Sequence, residues 1–284
     1  INHACVVRKN IVLPPDIQYA TYFNCDRDAI NNALFEERCK NSIKEHGHAN
    51  DSIIIFCDQL MVLNGTKTYV PFKNPKIIWE YCGEDDILKP NWDSTGRMDP
   101  ALKLYVNMRV MLPHNSNVAN GEAKGTRARV LKVVLKHNER MHKVALDNSI
   151  IVNACYANQV SYVELKHEND RISPSIFKVI PKNYDSFKAH IPKPGIAQTN
   201  RSQKEKIQMK ARQIPLLANS ATTGHKLQGS GVDCLFVHNW SYVTNWVYVM
   251  LSRVRTCEGL YCRVPLSLDL TKYKCPASYK KLVH

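Results

Sequence analysis

Several features that would place a chain in a membrane or outside the cell are missing from this sequence. Its longest apolar runs are short, such as SIIIF at 52–56 and IIV at 150–152, whereas a membrane-spanning helix needs roughly 20 apolar residues. There is no signal peptide, and the first residue is Ile1 rather than Met. We therefore expect no membrane span, no secretion, and a fragment of a longer product.

Metal-binding cysteine patterns are also missing. The ten cysteines include no CxxC pair, and Cys257 and Cys262 are five residues apart, with Cys275 beyond them. Zinc-binding pairs are usually separated by about two to four residues. The sequence therefore favours free, partly buried thiols in a reducing compartment and predicts no metal site.

Positive charge is present in excess, but only in one part of the chain. Residues 1–98 hold 11 Lys or Arg against 13 Asp or Glu, a net of −2, and residues 99–284 hold 28 against 12, a net of +16. A basic part beside a neutral one indicates a surface that faces a polyanion such as nucleic acid. A generally basic protein without such a partner would have the same totals.

The two ends of the chain have strand and helix patterns. IQYATYF at 17–23 predicts a buried strand, and the segment from Asp26 to Gly47 predicts a helix that Asp26 can cap. Near the other end, Val243 to Val254 predicts an apolar helix among three strands, which are IPLLANSA, VDCLFVH and GLYCRV.

From Ala101 the pattern changes to short segments of alternating polarity. With IFKVIPK at 176–182 they predict a small β-barrel, and the polar stretch 183–206 predicts a loop or linker.

The strands and helices predicted at the two ends of the chain make the fold class α/β. The predicted domains are 1–98, the first part of an α/β domain with a mixed insertion; 99–190, the barrel; and 191–284, the rest of the α/β domain.

The segment ATTGHKLQG, residues 221–229, ends in a tight basic turn that follows a strand. Its glycines let backbone N–H groups approach an anion, and His225 and Lys226 can complement negative charge. An ordinary strand-to-helix loop would have the same residues, so both interpretations stay open on this segment alone.

A second segment, YVMLSRVR at 248–255, is apolar and then presents Ser252, Arg253 and Arg255. A cation near a helix C-terminus gains roughly 0.3–1 kcal/mol from the helix dipole, which would account for both arginines without a function. The alternative is an arginine finger, which neutralises charge on a transferred γ-phosphoryl group and is worth about 10³–10⁵ in rate. The fixed fork of a guanidinium suits phosphate better than a lysine does.

In this order and spacing, the motifs resemble the C-terminal motifs of superfamily 1 DNA helicases of the Pif/RecD-like branch, including the helicases of Helitron-type elements. The resemblance extends from about residue 17 to residue 264. It includes RQIPL at 212–216, TYFNCDRDAIN at 21–31, which resembles the opening of the second RecA-like domain, and 104–130, which resembles the family's barrel segment.

The resemblance implies a fold, an activity and site residues. The fold would be the second RecA-like domain interrupted by a small Src-homology-3-like β-barrel. The activity would be ATP-dependent translocation on single-stranded DNA with duplex unwinding, in the nucleus or cytoplasm, with DNA repair, recombination and telomere maintenance as family roles. By resemblance, Arg253 is the catalytic arginine; Gln228, Gly229, Ser252 and Tyr248 lie beside the nucleotide; and Thr223, His225, Lys226 and Arg127 contact DNA.

The residues that would hold ATP and Mg²⁺ are missing. A P-loop reads GxxxxGK[ST], and Gly65 to Thr68 lacks both the upstream Gly and the Gly-Lys pair. No apolar run ends in paired acids that could bind Mg²⁺. In the family both features belong to the first RecA-like domain, so we expect this chain to be a C-terminal half that needs that N-terminal domain as its partner and is inactive alone.

Some positions depart from the family pattern. Gly224 stands where an apolar residue is usual, Ser230-Gly231 replaces a polar residue and Thr, and Asn245-Trp246 stands where Gly-Gln is common.

Two other functions remain open: a non-enzymatic nucleic-acid-binding remnant of a helicase, and an unrelated basic α/β protein. In the unrelated protein, Arg253 and Gln228 need not share a cleft. Trp240, Tyr242 and Trp246 could stack on bases at roughly 1–3 kcal/mol per base, but core packing is favoured. His114 and His238 are interpreted as ordinary polar histidines.

Overall fold

The computed structural model describes residues 12–62, 69–71, 99, 101–146, 150–169, 172, 174–192, 204–243 and 245–273. They divide into two compact units: unit one, drawn from 1–34 and 219–284, and unit two, drawn from 35–218. The helices are α1 (Asn24–His46) and α2 (Trp246–Leu251). The strands are β1 (Gln18–Thr21), β2 (Ala49–Phe56), β3 (Asp58–Val62), β4 (Tyr69–Pro71), β5 (Ala101–Tyr105), β6 (Arg109–Met111), β7 (Arg127–Leu135), β8 (His142–Ala145), β9 (Ile151–Tyr156), β10 (Val160–His167), β11 (Ile176–Val179), β12 (Lys182–Pro192), β13 (Lys204–Gln213), β14 (Leu217–Ala218), β15 (Ala221–Thr223), β16 (Leu235–Val237) and β17 (Leu260–Cys262).

Unit one is built on a four-stranded sheet in the order β15-β1-β16-β17, and every neighbouring pair is parallel. Parallel sheets are covered on both faces, so their strands are short apolar runs, as in the fully buried LFV of β16. Ala20, Val237 and Leu260 form its core with Trp246 and Met250 of α2. The α/β class predicted from the sequence is confirmed.

Helix α1 runs from Asn24 to His46, close to the predicted Asp26 to Gly47. Gly47 ends it with φ of +77°, a left-handed conformation that glycine adopts without a side-chain clash. Its N–H donates to the carbonyl of Ile43 at 2.8 Å, which closes the last turn.

Unit two is mostly β-structure. One sheet has the order β11-β10-β7-β6-β14, a second β5-β2-β9-β8, and a third β12-β13-β3-β4. Apart from β2 with β9, the described pairs in these sheets are antiparallel. The segments of alternating polarity after Ala101 are strands, as predicted. Alternate residues of β5, β7 and β10 form one core, which includes Leu104, Val130, Val163 and Leu165, and Val152 and Ala154 of β9 belong to a second cluster.

The loop predicted for 183–206 is wrong in the described parts of that range. β12 and β13 pair there in antiparallel register from Lys182 with Gln213 to Pro192 with Lys204. Proline is tolerated at a strand end, and Pro192 is the last residue of β12, so it does not interrupt the pairing. Residues 193–203 of the predicted loop lie outside the described residues.

Two further predictions need correction in length. The helix predicted for Val243 to Val254 is α2 alone, because Asn245 before it has φ of +64°, outside the helical region. The strand predicted for IPLLANSA begins only at Leu217, after Pro215, which has no N–H to donate to a ladder. It is divided between β14 and β15 because β14 pairs with β6 and β15 pairs with β1, in a different sheet.

The predicted domain boundaries at 98/99 and 190/191 differ from the unit boundaries at 34/35 and 218/219. Backbone pairing accounts for the difference. β2 lies between β5 and β9, and β13 lies between β3 and β12, so both belong to the sheets of unit two.

Among the described residues the cysteines form no disulfide, and Cys39, Cys57 and Cys155 are buried. The described ranges contain no group of three or more His, Cys, Asp or Glu side chains arranged to hold a metal. Within the same ranges, none of the helices has the length and apolar character needed to cross a bilayer.

Candidate functional site in unit one

The segment from Thr223 to Gly229 starts at the carboxyl end of β15, and Gly224–Leu227 forms a 3₁₀ helix. Two buried polar side chains fix the strand that leads into it. The amide of Asn31 accepts from the backbone N–H of Ala221 at 2.8 Å and donates to its carbonyl at 3.0 Å. Gln18 donates to the carbonyls of Asn219 and Ser220 at 3.0 and 2.9 Å. The start of the segment is therefore held by hydrogen bonds that the motif itself does not contain.

Gly224 is needed because α2 packs directly against it. A Cβ at this position would lie 2.6 Å from Cε of Met250 and 2.9 Å from Nε1 of Trp246. Trp246 is only 1% exposed. Two departures from the family pattern thus explain each other: a large Trp at 246 occupies the space that an apolar side chain at 224 would need.

The rest of the segment is open to solvent. His225, Gln228 and Gly229 are exposed, and Thr223 and Lys226 are partly exposed. Gly229 has φ of +82°, which favours glycine and lets the chain turn back toward β16. Two backbone hydrogen bonds shape this turn: the N–H of Gln228 donates to the carbonyl of His225, and the N–H of Ser230 donates to the carbonyl of Leu227.

Arg253 lies against this turn and joins the two sequence motifs. Its Nη1 lies 3.5 Å from the carbonyl oxygen of Leu227 and 3.4 Å from that of Ser230, on either side of Gln228. Its Nε donates to the carbonyl of Val249 at 3.0 Å. The residues predicted to face a nucleotide, Arg253, Gln228 and Gly229, are therefore neighbours in the fold, which is the arrangement that a shared cleft requires.

No carboxylate in the described part of the chain neutralises the charge of Arg253. Its described partners are backbone carbonyls and the hydroxyl of Ser252, which accepts from Nη2 at 2.9 Å, and the described residues place no Asp or Glu oxygen in an ion pair with it. Arg255 differs, because its Nη1 lies 2.8 Å from Oδ1 of Asp233. A partly buried guanidinium held by neutral acceptors keeps its full charge for an anion, so Arg253 is the better candidate of the two.

Tyr248 lies within α2 and Ser252 directly follows it, and both residues are solvent-exposed. Ser252 is exposed, its N–H donates to the carbonyl of Tyr248 at 2.9 Å, and the Tyr248 ring is 71% exposed. The left-handed conformation of Asn245 accounts for the other half of the Asn245-Trp246 departure, since Asn is the residue after Gly that most readily adopts positive φ.

Arg127 is the one predicted site residue in the other unit. It opens β7 in unit two and is partly exposed. Burial lowers the pKa of its guanidinium, and the nearby carboxylate of Glu168 opposes that shift. The other predicted site residues all lie in unit one.

The aromatic and histidine side chains have structural roles. Trp246 is buried, Trp240 donates its indole N–H to the carbonyl of Val264 at 2.8 Å, and the Tyr242 hydroxyl accepts from the N–H of Ser267 at 2.8 Å. Core packing, as favoured from the sequence, is confirmed for Trp246. His238 accepts from Arg263 at 2.7 Å, and burial together with that arginine lowers its pKa.

Sequence reasoning missed the residues that position the site. Gln18 lies in β1 and Asn31 lies in α1, about 200 residues before the motif that they hold. In the sequence, the contact between Trp246 and Gly224 showed only as two separate departures from the helicase family pattern. Such long-range pairs have no local signal in one sequence.

The fold resembles solved structures of helicases. Bacteroides Pif1 bound to single-stranded DNA matches with a TM-score of 0.53 and 17% identity, over 98% of this chain and 47% of that protein. Pif1 helicase from Candida albicans matches with a TM-score of 0.51 and 16% identity, over 96% of this chain and 52% of that protein. No protein-family model matches the sequence, and no curated protein does.

The chain spans about half the length of the solved helicases that it matches. The parallel sheet of unit one, with its helices, fits a RecA-like domain. The predicted resemblance to Pif-type helicases is therefore confirmed at the level of the fold.

Proposed function

We propose that this chain is the C-terminal half of an ATP-dependent DNA helicase that moves on single-stranded DNA and unwinds duplexes. The observation that carries the proposal is the position of the Arg253 guanidinium, which lies on the turn from Leu227 to Ser230 without a carboxylate partner among the described residues. The fold shared with Pif1 helicases and the net charge of +14 support it.

Each predicted residue has a role in this proposal. Arg253 neutralises charge that develops on the γ-phosphoryl group, a role for which its fixed fork is suited. Gln228, Gly229, Ser252 and Tyr248 flank the nucleotide from the same side. Thr223, His225 and Lys226 hold phosphates of the strand, since an exposed turn with two basic side chains fits an anionic backbone.

The proposal requires a partner domain and two cofactors. ATP and Mg²⁺ would be held mainly by an N-terminal RecA-like domain with a P-loop, and Arg253 would complete that site from this chain. Unit two would contain the small Src-homology-3-like barrel, with Arg127 near the strand. We place the whole protein in the nucleus or cytoplasm.

The test is the Arg253→Ala variant in the protein that joins this chain to its P-loop domain. We expect loss of ATP turnover by about 10³-fold or more, the scale of an arginine finger, with single-strand affinity within about twofold of the unsubstituted protein. Steady-state ATP hydrolysis and fluorescence anisotropy with labelled oligothymidine measure the two quantities.

The matched control is Arg255→Ala. It removes the same charge at a position two residues farther along the chain, where the arginine pairs with Asp233. It should keep most of the turnover. Retained turnover in Arg253→Ala would remove Arg253 from the catalytic role. Single-strand binding without turnover in the unsubstituted protein would favour a non-enzymatic remnant.

A further inference from the structure

Three aromatic side chains form one cluster on the sheet β5-β2-β9-β8 of unit two. They are Phe56 of β2, Tyr156 of β9 and His142 of β8, and their ring centres lie 5.9, 5.9 and 6.3 Å apart in the three pairs. The ring planes of Phe56 and Tyr156 are inclined to that of His142 by only 15° and 29°. Since three rings at nearly equal distances cannot form one column, they form a patch, which we call the ring patch.

Strand register explains how the ring patch forms. Phe56 pairs with Tyr156, and His142 pairs with Ala154, which lies on the same face of β9 as Tyr156 because side chains alternate along a strand. Ala154 has no side chain beyond Cβ, so the His142 ring can reach over it to the other two rings. Phe56 packs against the core cluster that contains Ala154, whereas Tyr156 is partly exposed and His142 is exposed. One side of the patch is therefore fixed to the core, and the other side is open to solvent.

The turn between β7 and β8, residues 136–141, lies beside the ring patch. The N–H of Lys136 donates to the carbonyl of Gln159 at 2.8 Å. The Gln159 side chain accepts from the N–H of Tyr156 at 2.8 Å and donates to the carboxylate of Glu139 at 2.7 Å. These hydrogen bonds join the turn to Tyr156, and they engage Glu139, which is the one acid of the turn.

The same turn carries two exposed cations, Lys136 and Arg140. Within the part of the chain that the structure describes, no carboxylate forms an ion pair with either of them. Lys136 acts on the buried carboxyl of Asp58 only at longer range, where its charge opposes the rise in the pKa of that group. Exposed rings and exposed positive charge are thus neighbours on this part of unit two.

We propose that the ring patch is a base-stacking contact for single-stranded nucleic acid, with Lys136 and Arg140 on the neighbouring phosphates. The proposal rests on the proposed function, which supplies such a strand, and extends it to a surface of unit two. Sites that bind single strands without sequence preference combine aromatic rings with positive charge, because every base has a face that can stack. The ring patch and the turn bring these two features together.

The chemistry of the ring patch selects an unpaired strand. In a duplex the bases are stacked on one another and do not offer their faces to a protein ring. The two cations would bind duplex phosphates, but the rings would add nothing there. Affinity that depends on His142 is therefore expected for oligothymidine, and not for a duplex or for a strand without bases.

The experiment uses the whole 284-residue chain with labelled oligothymidine, an abasic oligonucleotide and a duplex, all of the same length. His142→Ala removes the exposed ring, and His142→Tyr restores a ring at that position. His137→Ala is the matched control, because His137 is an exposed histidine of the same turn and makes no ring contact with a described residue. Fluorescence anisotropy over a series of salt concentrations measures the affinities, and thermal melting shows that each variant is folded.

We expect His142→Ala to bind oligothymidine about five- to tenfold more weakly, which is the lower part of the range for one contact between a base and an aromatic ring. Its affinity for the abasic strand and for the duplex should stay within about twofold, since neither can stack on the ring. The slope of log affinity against log salt should not change, because a ring releases no counterions. His142→Tyr and His137→Ala should both keep the affinity for oligothymidine.

The cations of the turn are tested by a second pair of variants. Arg140→Gln should weaken binding to oligothymidine and to the abasic strand alike, and it should reduce the salt slope by about 0.7, the value for one phosphate of a single strand. Lys143→Gln is its control, since Lys143 follows His142 in β8 and therefore lies on the opposite face of the sheet. It should change the slope much less than Arg140→Gln does.

Unchanged affinity for oligothymidine in His142→Ala would overturn the proposal, and so would an equal loss on the abasic strand, because bases would then play no part. Lys226→Gln separates this proposal from the proposed function: if it weakens binding and His142→Ala does not, the ring patch is overturned and the helicase function stands. If His142→Ala weakens binding while Arg253→Ala in the joined protein keeps its ATP turnover, the ring patch stands and the catalytic role fails. If the unsubstituted chain binds no oligothymidine, both fail.

Discussion

At the scale of single residues, the side chain of Asn31 holds the backbone of β15 in place by two hydrogen bonds. β15 is the edge strand of its sheet, and the Asn31 amide satisfies both backbone groups of Ala221. Asn31→Ala would leave a buried N–H and C=O without their partners, so the free energy of unfolding should fall by about 2–3 kcal/mol. Chemical denaturation measures the change.

The control for this prediction is Asn41→Ala, at an exposed position of the same helix, which should change the free energy of unfolding by less than about 0.5 kcal/mol. Equal losses of stability in the two variants would contradict the role of Asn31.

Asp58 is a second residue with a measurable consequence. Burial raises its pKa from 3.8 to about 6, although it accepts a hydrogen bond from the backbone N–H of Asn158. The folded protein then binds this proton more tightly than the unfolded chain does. Its contribution to stability is complete below about pH 4 and is lost as the pH rises through 6.

The Asp58→Asn variant should therefore lack this part of the pH dependence. Between about pH 4 and pH 6, the free energy of unfolding of the unsubstituted protein should fall relative to the variant by on the order of 2 kcal/mol. Urea denaturation at a series of pH values gives the difference, in which the other titrating groups cancel. A constant difference across that range would show that Asp58 titrates normally.

At the scale of elements, α2 and the 3₁₀ helix at Gly224 are packed as a matched pair. Gly224→Val should destabilise the chain by about 1–3 kcal/mol, since its side chain would overlap Trp246 and Met250. In a Trp246→Gln background the same substitution should cost less by about 1 kcal/mol or more, which a double-mutant cycle measures. Gly231→Val is the control, because nothing lies within 4 Å of an added Cβ there. Additive effects would contradict the coupling.

Sequence patterns predicted elements better than they predicted pairing. Alternating polarity located β7 and β10, and turn residues located the end of β15, because both signals are local. The pairing of β12 with β13 was missed, since polar strands differ little in composition from loops. Cross-strand register was missed for another reason: it joins residues more than 30 positions apart, such as Arg129 and Lys166.

At the scale of the whole molecule, the order of short motifs carried more information than composition did. Arg253 and Gln228 were identified because the order and spacing of their motifs resemble those of a helicase family, and the fold brings the two residues together. Their supporting residues, Gln18 and Asn31, could not be found this way, because a single sequence does not show which distant side chain fills a hydrogen-bonding position. Prediction therefore reached the groups that face solvent and missed those that hold them.

The last prediction concerns the chain by itself. Its net charge of +14 and its exposed basic turn should give weak binding to single-stranded DNA, with no ATP hydrolysis because it has no P-loop sequence. Since released counterions drive such binding, each neutralised phosphate should contribute about −0.7 to the slope of log affinity against log salt. Four or more contacts would thus weaken binding on the order of 50-fold between 50 and 200 mM salt. Fluorescence anisotropy measures the slope, and a flat response would contradict a phosphate-binding surface in either unit.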